Sequence, residues 1–310
     1  MVEDNEIKAE VSPFAIREGE IKTFDGKDGY VSMNQIVHKI NIGHITDIHF
    51  AILELVNEFE FITSRQLYQM LEIKGIDPKS QDKLNTKLDS LVKCKILTRY
   101  YFTSDEGKGI YRIYCLEKMG KYLLTSKEID TKWQPSDNTK PVAMIKKRLA
   151  GNQVLIAYLR KVKAFDGYIV KPAITAKTLG KVFKTAGGTV KLTKNRKTIQ
   201  FLFEVIRREQ DWQKKFIEKM NLYKDFYENY VPGDSGFLGI PQLIFVCEDE
   251  KHMAETYKEL VANKIEIPQI KFLFTTDLRQ NKETLSETLV EFKLVDGKYK
   301  MENVELKLIG

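Results

Sequence analysis

Two hydrophobic periods alternate along the chain, and the points where one gives way to the other mark out its elements. After Thr46, which is placed to cap a helix with Asp47 and His49 in its first turn, Phe50, Ile52, Leu53, Leu55 and Val56 cover a broad apolar face. A second helix follows Thr63 or Ser64, with Leu67, Met70 and Leu71 at i, i+3, i+4. The third runs from Ser80 to Cys94 on a buried stripe of Leu84, Leu88, Leu91 and Val92. The period then drops to two. Leu97–Phe102 and Ile110–Leu116 read as aromatic-rich strands around a Gly107-Lys108-Gly109 tip, and a short helix closes the unit from Glu117 to Leu124.

Beyond this, Trp133–Pro141 is polar and bracketed by prolines, the signature of a linker. Helical spacing resumes from Met144 to about Lys163, and Tyr168-Ile169-Val170 reads as a strand. Gly187–Leu192 and Thr198–Val205 predict a hairpin around Lys194-Asn195-Arg196-Lys197. Asp211–Tyr230 and Glu250–Asn263 are amphipathic helices, and Pro241–Cys247 and Lys271–Thr276 are strands. The expected architecture is therefore α+β or α/β: an N-terminal arm (1–40) with a turn at Thr23–Tyr30, a winged helix-turn-helix (41–130), a linker (131–141), and a mixed-sheet α/β domain (142–310).

Composition narrows the class. A chain of 310 residues, 43% hydrophobic and 30% charged, suits a folded protein of two ordinary domains. No apolar run approaches the length of a membrane span, and the acidic start Met1–Glu6 is unlike a secretory signal, so a cytoplasmic protein without a membrane role is expected. Cys94, Cys115 and Cys247 are too scattered for a zinc site or a disulfide framework and read as small buried apolar residues. No cofactor is implied.

Charge changes the picture more. Between Lys140 and Arg208 stand 17 Lys or Arg and two acids, Asp166 and Glu204, although the whole chain carries only +7. A field of that density attracts phosphate backbone, the bland alternative being a solvated lysine face. On the third helix Gln81, Lys83, Asn85, Thr86 and Lys87 oppose the buried stripe. Asn and Gln bond adenine bidentately, Lys contacts guanine or phosphate, and the N-terminal half of such a helix reaches base edges. Arg65, Arg99, Arg112 and the wing-tip Lys108 complete the expected double-stranded DNA surface. A second basic surface is expected from Lys177, Lys181, Lys184, Lys191, Lys194, Arg196, Lys197, Arg207 and Arg208.

In Phe61–Leu67, the wing, Phe201–Val205 followed by a long helix, Leu243–Val246 and Phe272–Thr276, the chain resembles the replication-relaxation family of Gram-positive plasmids and integrative elements, over roughly residues 46–280. The resemblance implies a winged helix fused to a restriction-endonuclease-like domain, and a role in replication, transfer or control of a mobile element, beside replication or conjugation proteins. Glu204 matches that fold's strand glutamate, but Gly187–Leu192 lacks the partner carboxylate and Ile206 stands where the lysine belongs. A nuclease-like scaffold without catalytic or metal-holding residues is the expectation, Glu204 being a remnant paired with Arg207 or Arg208. The alternatives are a metal-dependent nuclease or relaxase and a protein-interaction module. His38, His44, His49 and His252 do not form a relaxase-type histidine run. The aromatic helix 212–230 packs on its own sheet or offers a homodimer interface.

Overall fold

The computed structural model of the protein describes residues 11–104, 107–108, 111–281, 284–295 and 298–304. Its first half is built from capped helices. After β1 (Ile21–Phe24), Ser32 opens α1 (Met33–Asn41) by accepting from the Gln35 N–H at 3.3 Å. At α2 (Asp47–Phe59) the Thr46 N–H donates to His49 Nδ1 at 3.1 Å. β2 (Ile62–Thr63) leads into α3 (Ser64–Ile73), where Thr63 and Gln66 cap each other reciprocally at 3.2 Å. Ser80 caps α4 (Gln81–Lys93), whose buried residues are Leu84, Leu88, Leu91 and Val92, as the spacing predicts. β3 (Leu97–Ser104), β4 (Gly107–Lys108), β5 (Ile113–Leu116) and α5 (Lys118–Ser126) follow. The sheet runs β1-β3-β5-β2, with β4 on β3.

Two expectations are corrected here. Residues 21–41, expected as an arm, hold β1 and α1, and β1 adds an antiparallel edge strand along β3. The segment 131–141 is packed: Pro135 starts a 3-10 helix (Pro135–Thr139), and buried Trp133 donates its ring N–H to Asn138 Oδ1 at 3.2 Å. Asp105, Glu106, Gly109 and Ile110 of the expected wing lie outside the described residues.

The second half turns on α6 (Val142–Lys161), 12 of whose 20 residues are buried. A helix apolar on most sides must be covered on most sides. On one side Tyr158 meets Phe201 and Phe203 at ring separations of 5.8 and 5.2 Å. On the other, Gln66 Nε2 donates to the Leu149 carbonyl (2.7 Å), and Asn152 Nδ2 to those of Phe59 and Phe61 (3.3 and 2.7 Å). One buried apolar cluster thus runs from Phe14 through the α2–α4 helices and α6 to Leu289.

After α6 come β6 (Phe165–Ile169), a separate hairpin of β7 (Ala173–Ala176) and β8 (Lys181–Lys184), then β9 (Thr189–Lys194) and β10 (Lys197–Val205). Lys194 pairs with Lys197 across Asn195 and Arg196, both at positive φ (52° and 64°), the two-residue turn that suits strand twist. Then follow α7 (Trp212–Glu228), β11 (Gln242–Cys247), α8 (Glu250–Ala262), β12 (Leu273–Thr276), β13 (Val290–Val295) and β14 (Lys298–Asn303). The large sheet has the order β14-β13-β12-β11-β10-β9-β6, parallel only at β10–β11 and β11–β12. Side chains alternate across it: Phe201, Phe203, Ile244 and Val246 face the α6 cluster, while Leu202, Leu243, Phe245 and Cys247 face a second cluster with α7. The fold is α+β with a mixed sheet.

The N-terminal residues strap the two halves together. Ser12 Oγ donates to Asp277, the Ile16 N–H to Glu248 (3.2 Å), and Tyr111 OH to the Pro13 carbonyl (2.9 Å). Buried Lys146 bonds the Ala15 carbonyl and Glu20. All three cysteines are buried and unpaired by disulfides; burial pushes the Cys247 thiol up to about 12. Among the described residues no helix is long and apolar enough to cross a membrane.

Candidate nucleic-acid interface

A groove of about 1300 Å³ opens between the first turns of α3 and α4, the β3–β5 strands and the outer face of α6. Helical spacing makes the α3 wall: Arg65, Tyr68, Gln69 and Glu72 recur on one polar face. Gln81 and Asn85 come from the N-terminal half of α4, and Gln81 Nε2 donates to Asn85 Oδ1 (3.2 Å) and the Ser64 carbonyl (3.4 Å). Arg112 enters from the strands with its side chain 49% exposed, 3.2 Å from Asp25. The far wall is Gln153, Ile156, Arg160 and Lys161, with Gln280 beyond. Gln153 reaches Gln69 (3.5 Å), and Arg160 stands 3.9 Å from Glu72.

Of the residues expected to meet DNA, the groove therefore gathers Arg65, Gln81, Asn85 and Arg112. Lys83 and Thr86 are exposed on α4 outside it, and Thr86 donates to the Asp82 carbonyl at 2.9 Å. Lys87 is half-buried outside the groove; its charge, after burial itself, lowers the proton affinity of His49. Lys108 lies in β4, paired with Thr103. Arg99 is corrected: its side chain is 14% exposed and locked between Asp89 and Asp25 (2.9 Å), so it stabilises the α4–β3–β1 junction instead of facing a ligand. The sequence reading missed Tyr68, Tyr101, Tyr111 and Tyr114 on the groove walls, and Arg160 and Lys161 at the end of α6. The i, i+3 relation of Arg65 and Tyr68 was the available signal for the first.

The basic run is largely neutralised by carboxylates distant in sequence. Arg207 is wholly buried, donating to both carboxylate oxygens of Asp277 (2.7 and 2.9 Å), which removes it from any surface. Arg208 sits among Glu248 (3.4 Å), Asp249 (2.6 Å) and Glu255 (3.1 Å). Lys177 pairs with Asp234 (2.6 Å) and Lys191 with Asp166 (2.8 Å). What stays exposed is Lys177 beside Asp234, Lys181 and Lys184 on β8, and Lys194, Arg196 and Lys197 at the β9–β10 turn. The second basic surface is thus smaller than expected, six residues of nine.

Glu204 is 6% exposed and accepts from Lys219 Nζ (2.8 Å) and Tyr223 OH (2.7 Å). The expected pairing with Arg207 or Arg208 is corrected. Successive β10 side chains point to opposite faces, and Glu204 takes the α7 face, where Lys219 and Tyr223 stand. Among the described residues no group of three or more His, Cys, Asp or Glu is placed to hold a metal ion.

Residues 53–234 match a protein-family model described as replication-relaxation. No curated protein and no solved structure matches the chain.

Proposed function

The chain belongs to the replication-relaxation family, and from that premise we propose that it binds DNA in the replication or relaxation of a plasmid or other mobile element. In this reading α2–α4 with β3–β5 form a winged helix-turn-helix that reads double-stranded sequence. The large sheet with α6 and α7 is a nuclease-like scaffold that binds without cutting. The observation that carries the proposal is the groove, where Arg65 and Arg112 supply charge beside the amides of Gln81 and Asn85. The Lys194–Lys197 turn, exposed at the opposite end of the scaffold's hairpin, supplies sequence-independent phosphate contact.

Fluorescence anisotropy of the full chain with duplex from the element's own origin, titrated across salt, tests this. Arg65→Ala should weaken every duplex and lower the log–log salt slope by about 0.9. Asn85→Ala should flatten base preference at one position by ~1–3 kcal/mol. No binding to any DNA at low salt would leave the protein-interaction module standing. Supercoiled plasmid nicked with Mg²⁺ by the wild type but not by Glu204→Ala would establish the nuclease instead.

A second reading, single-stranded DNA, is favoured by Tyr68, Tyr101 and Tyr111 lining the same groove as Arg65 and Arg160. Aromatic rings interleaved with cations are what base stacking uses. Tyr68→Ala would then weaken a single strand more than a duplex.

A further inference from the structure

A second cleft, of about 450 Å³, lies where the end of α2 meets the scaffold. Its floor is the carboxyl end of β10; its walls are the start of α6, the end of β8 and one side of α7. Charge within it is unbalanced. Eight Lys or Arg border it, Arg207 among them wholly buried beneath the floor, against three carboxylates, Glu60, Glu204 and Glu209. Two of those cations have acids outside the cleft, Arg207 with Asp277 and Lys140 with Asp137 (2.8 Å). Counting those two acids as well leaves three cations in excess.

Each carboxylate serves to hold cations in place. Glu60 gathers Lys140, Lys171 (2.5 Å) and Arg148 (3.4 Å). Its backbone sits at φ 69°, ψ −62°, a region unfavourable for any residue with a Cβ, which persists only where the surroundings over-determine it. Against the opposing effect of burial, Lys171, Lys140 and Arg148 together hold the Glu60 carboxyl below the usual range. Glu209 holds Lys147 and Lys215 (3.2 Å), and Glu204 holds Lys219. Lys184 lines the same cleft with no ion pair among the described residues. Burial, then repulsion from Arg148 and Lys140, lowers the proton affinity of Lys171 despite Glu60 beside it. Crowded like charges of this kind are relieved by a multivalent anion. Beside them Phe61, Met144, Trp212 and Phe216 give the cleft an apolar side, and its volume is that of a small-molecule site.

We propose that this cleft binds a phosphate group, held by Lys147, Lys171, Lys184 and Lys219, with its organic substituent against the apolar side. The group belongs to a free nucleotide or to the phosphorylated end of a strand. The site is distinct from the α3–α4 groove and does not rest on how that groove is used.

Trp212 lines the cleft while Trp133 lies in the packed 131–141 segment, so tryptophan emission reports occupancy. The full chain is titrated with inorganic phosphate, a nucleoside monophosphate, and matched oligonucleotides bearing a 5′-phosphate or a 5′-hydroxyl. At least one phosphate-bearing probe should saturate, and Lys184→Ala and Lys147→Ala should each weaken it roughly tenfold. Lys224→Ala, paired with Glu228 away from the cleft, should leave it unchanged. A monophosphate binding more tightly than either oligonucleotide identifies the free-nucleotide source. A 5′-phosphate preference that Lys184→Ala removes identifies the strand end. No saturation by any phosphate-bearing probe, or saturation indifferent to both lysine substitutions, overturns the proposal. So does an affinity that tracks ionic strength alone, with sulfate or chloride replacing phosphate without loss.

Discussion

Gly151 sits inside α6 where propensity and packing pull in opposite directions. Replacing it with alanine in an isolated helix would stabilise by roughly 0.5–1 kcal/mol, because glycine loses the most backbone entropy on folding. In this fold a Cβ there would lie 2.0 Å from the Ala186 carbonyl oxygen and 2.9 Å from Gly187 Cα, both backbone atoms that no rotamer change can move. One of the two backbones must retreat by about an ångström. The helix cannot easily do so, being pinned on its far side through Leu149 and Asn152 to α3 and the end of α2. Overpacking of this kind costs about 1–3 kcal/mol. The Ala186 carbonyl also accepts from buried Arg148 at 2.9 Å, a charge-assisted bond worth about 1.5–3 kcal/mol. Packing therefore outweighs propensity, and Gly151→Ala should destabilise by about 2–4 kcal/mol. Urea unfolding followed by far-ultraviolet circular dichroism reads this as a lower midpoint at unchanged m. An unchanged or raised midpoint would refute the close-approach argument.

Two further outcomes concern buried charge. Asp277→Ala leaves Arg207 buried without its counter-ion and should cost about 3–5 kcal/mol, whereas the double change Arg207→Met with Asp277→Leu should lose much less; equal losses in the same urea assay would count against an uncompensated charge as the cause. His252 is buried, its Nδ1 accepting from the Glu248 N–H at 3.3 Å and its ring edge-on to Trp212 at 4.8 Å. Burial foremost, then the charges of Arg208 and Arg207, depress its pKa to about 3. The unfolded chain binds the proton first, so His252 contributes stability that is intact above about pH 6.5 and fades as pH falls towards 3. His252→Gln should flatten the dependence of the urea midpoint on pH across that window, and an unaltered slope would argue against it.

The elements legible in the sequence were those whose signal is local. The α4 stripe, the Thr63 cap and the β9–β10 hairpin each follow from residues within a few positions of one another. Helix α1 was overlooked although its signal is local, with Met33, Ile36, Val37 and Ile40 at i, i+3, i+4, i+7 behind the Ser32–Gln35 cap, while β7–β8 was hidden because both strands are four residues long and β8 carries lysine at both ends. The charge run misled for a different reason. Its cations are contiguous, but the acids that take them up, such as Glu60, Asp234, Glu248 and Asp277, come from elsewhere in the chain. Pairing across such separations is set by tertiary packing, which no local pattern carries. The groove was half legible, Gln81 and Asn85 from the face of α4, while α6 as its opposite wall was not.

The strap at the N-terminus bears on the order in which the molecule is assembled during synthesis. Ser12 finds Asp277 across 265 residues, and Ile16 finds Glu248 across 232. At ordinary elongation rates those partners leave the ribosome tens of seconds after the strap does. β1 can pair with β3 early, and Pro13 and Ala15 can meet Tyr111 and Lys146 once those are made, but Ser12 and Ile16 have no partners until Asp277 and Glu248, around the last parallel strand of the large sheet, are laid down. The strap, among the earliest described residues to be made, is thus among the last parts to be completed, and its final bonds close the two halves on one another.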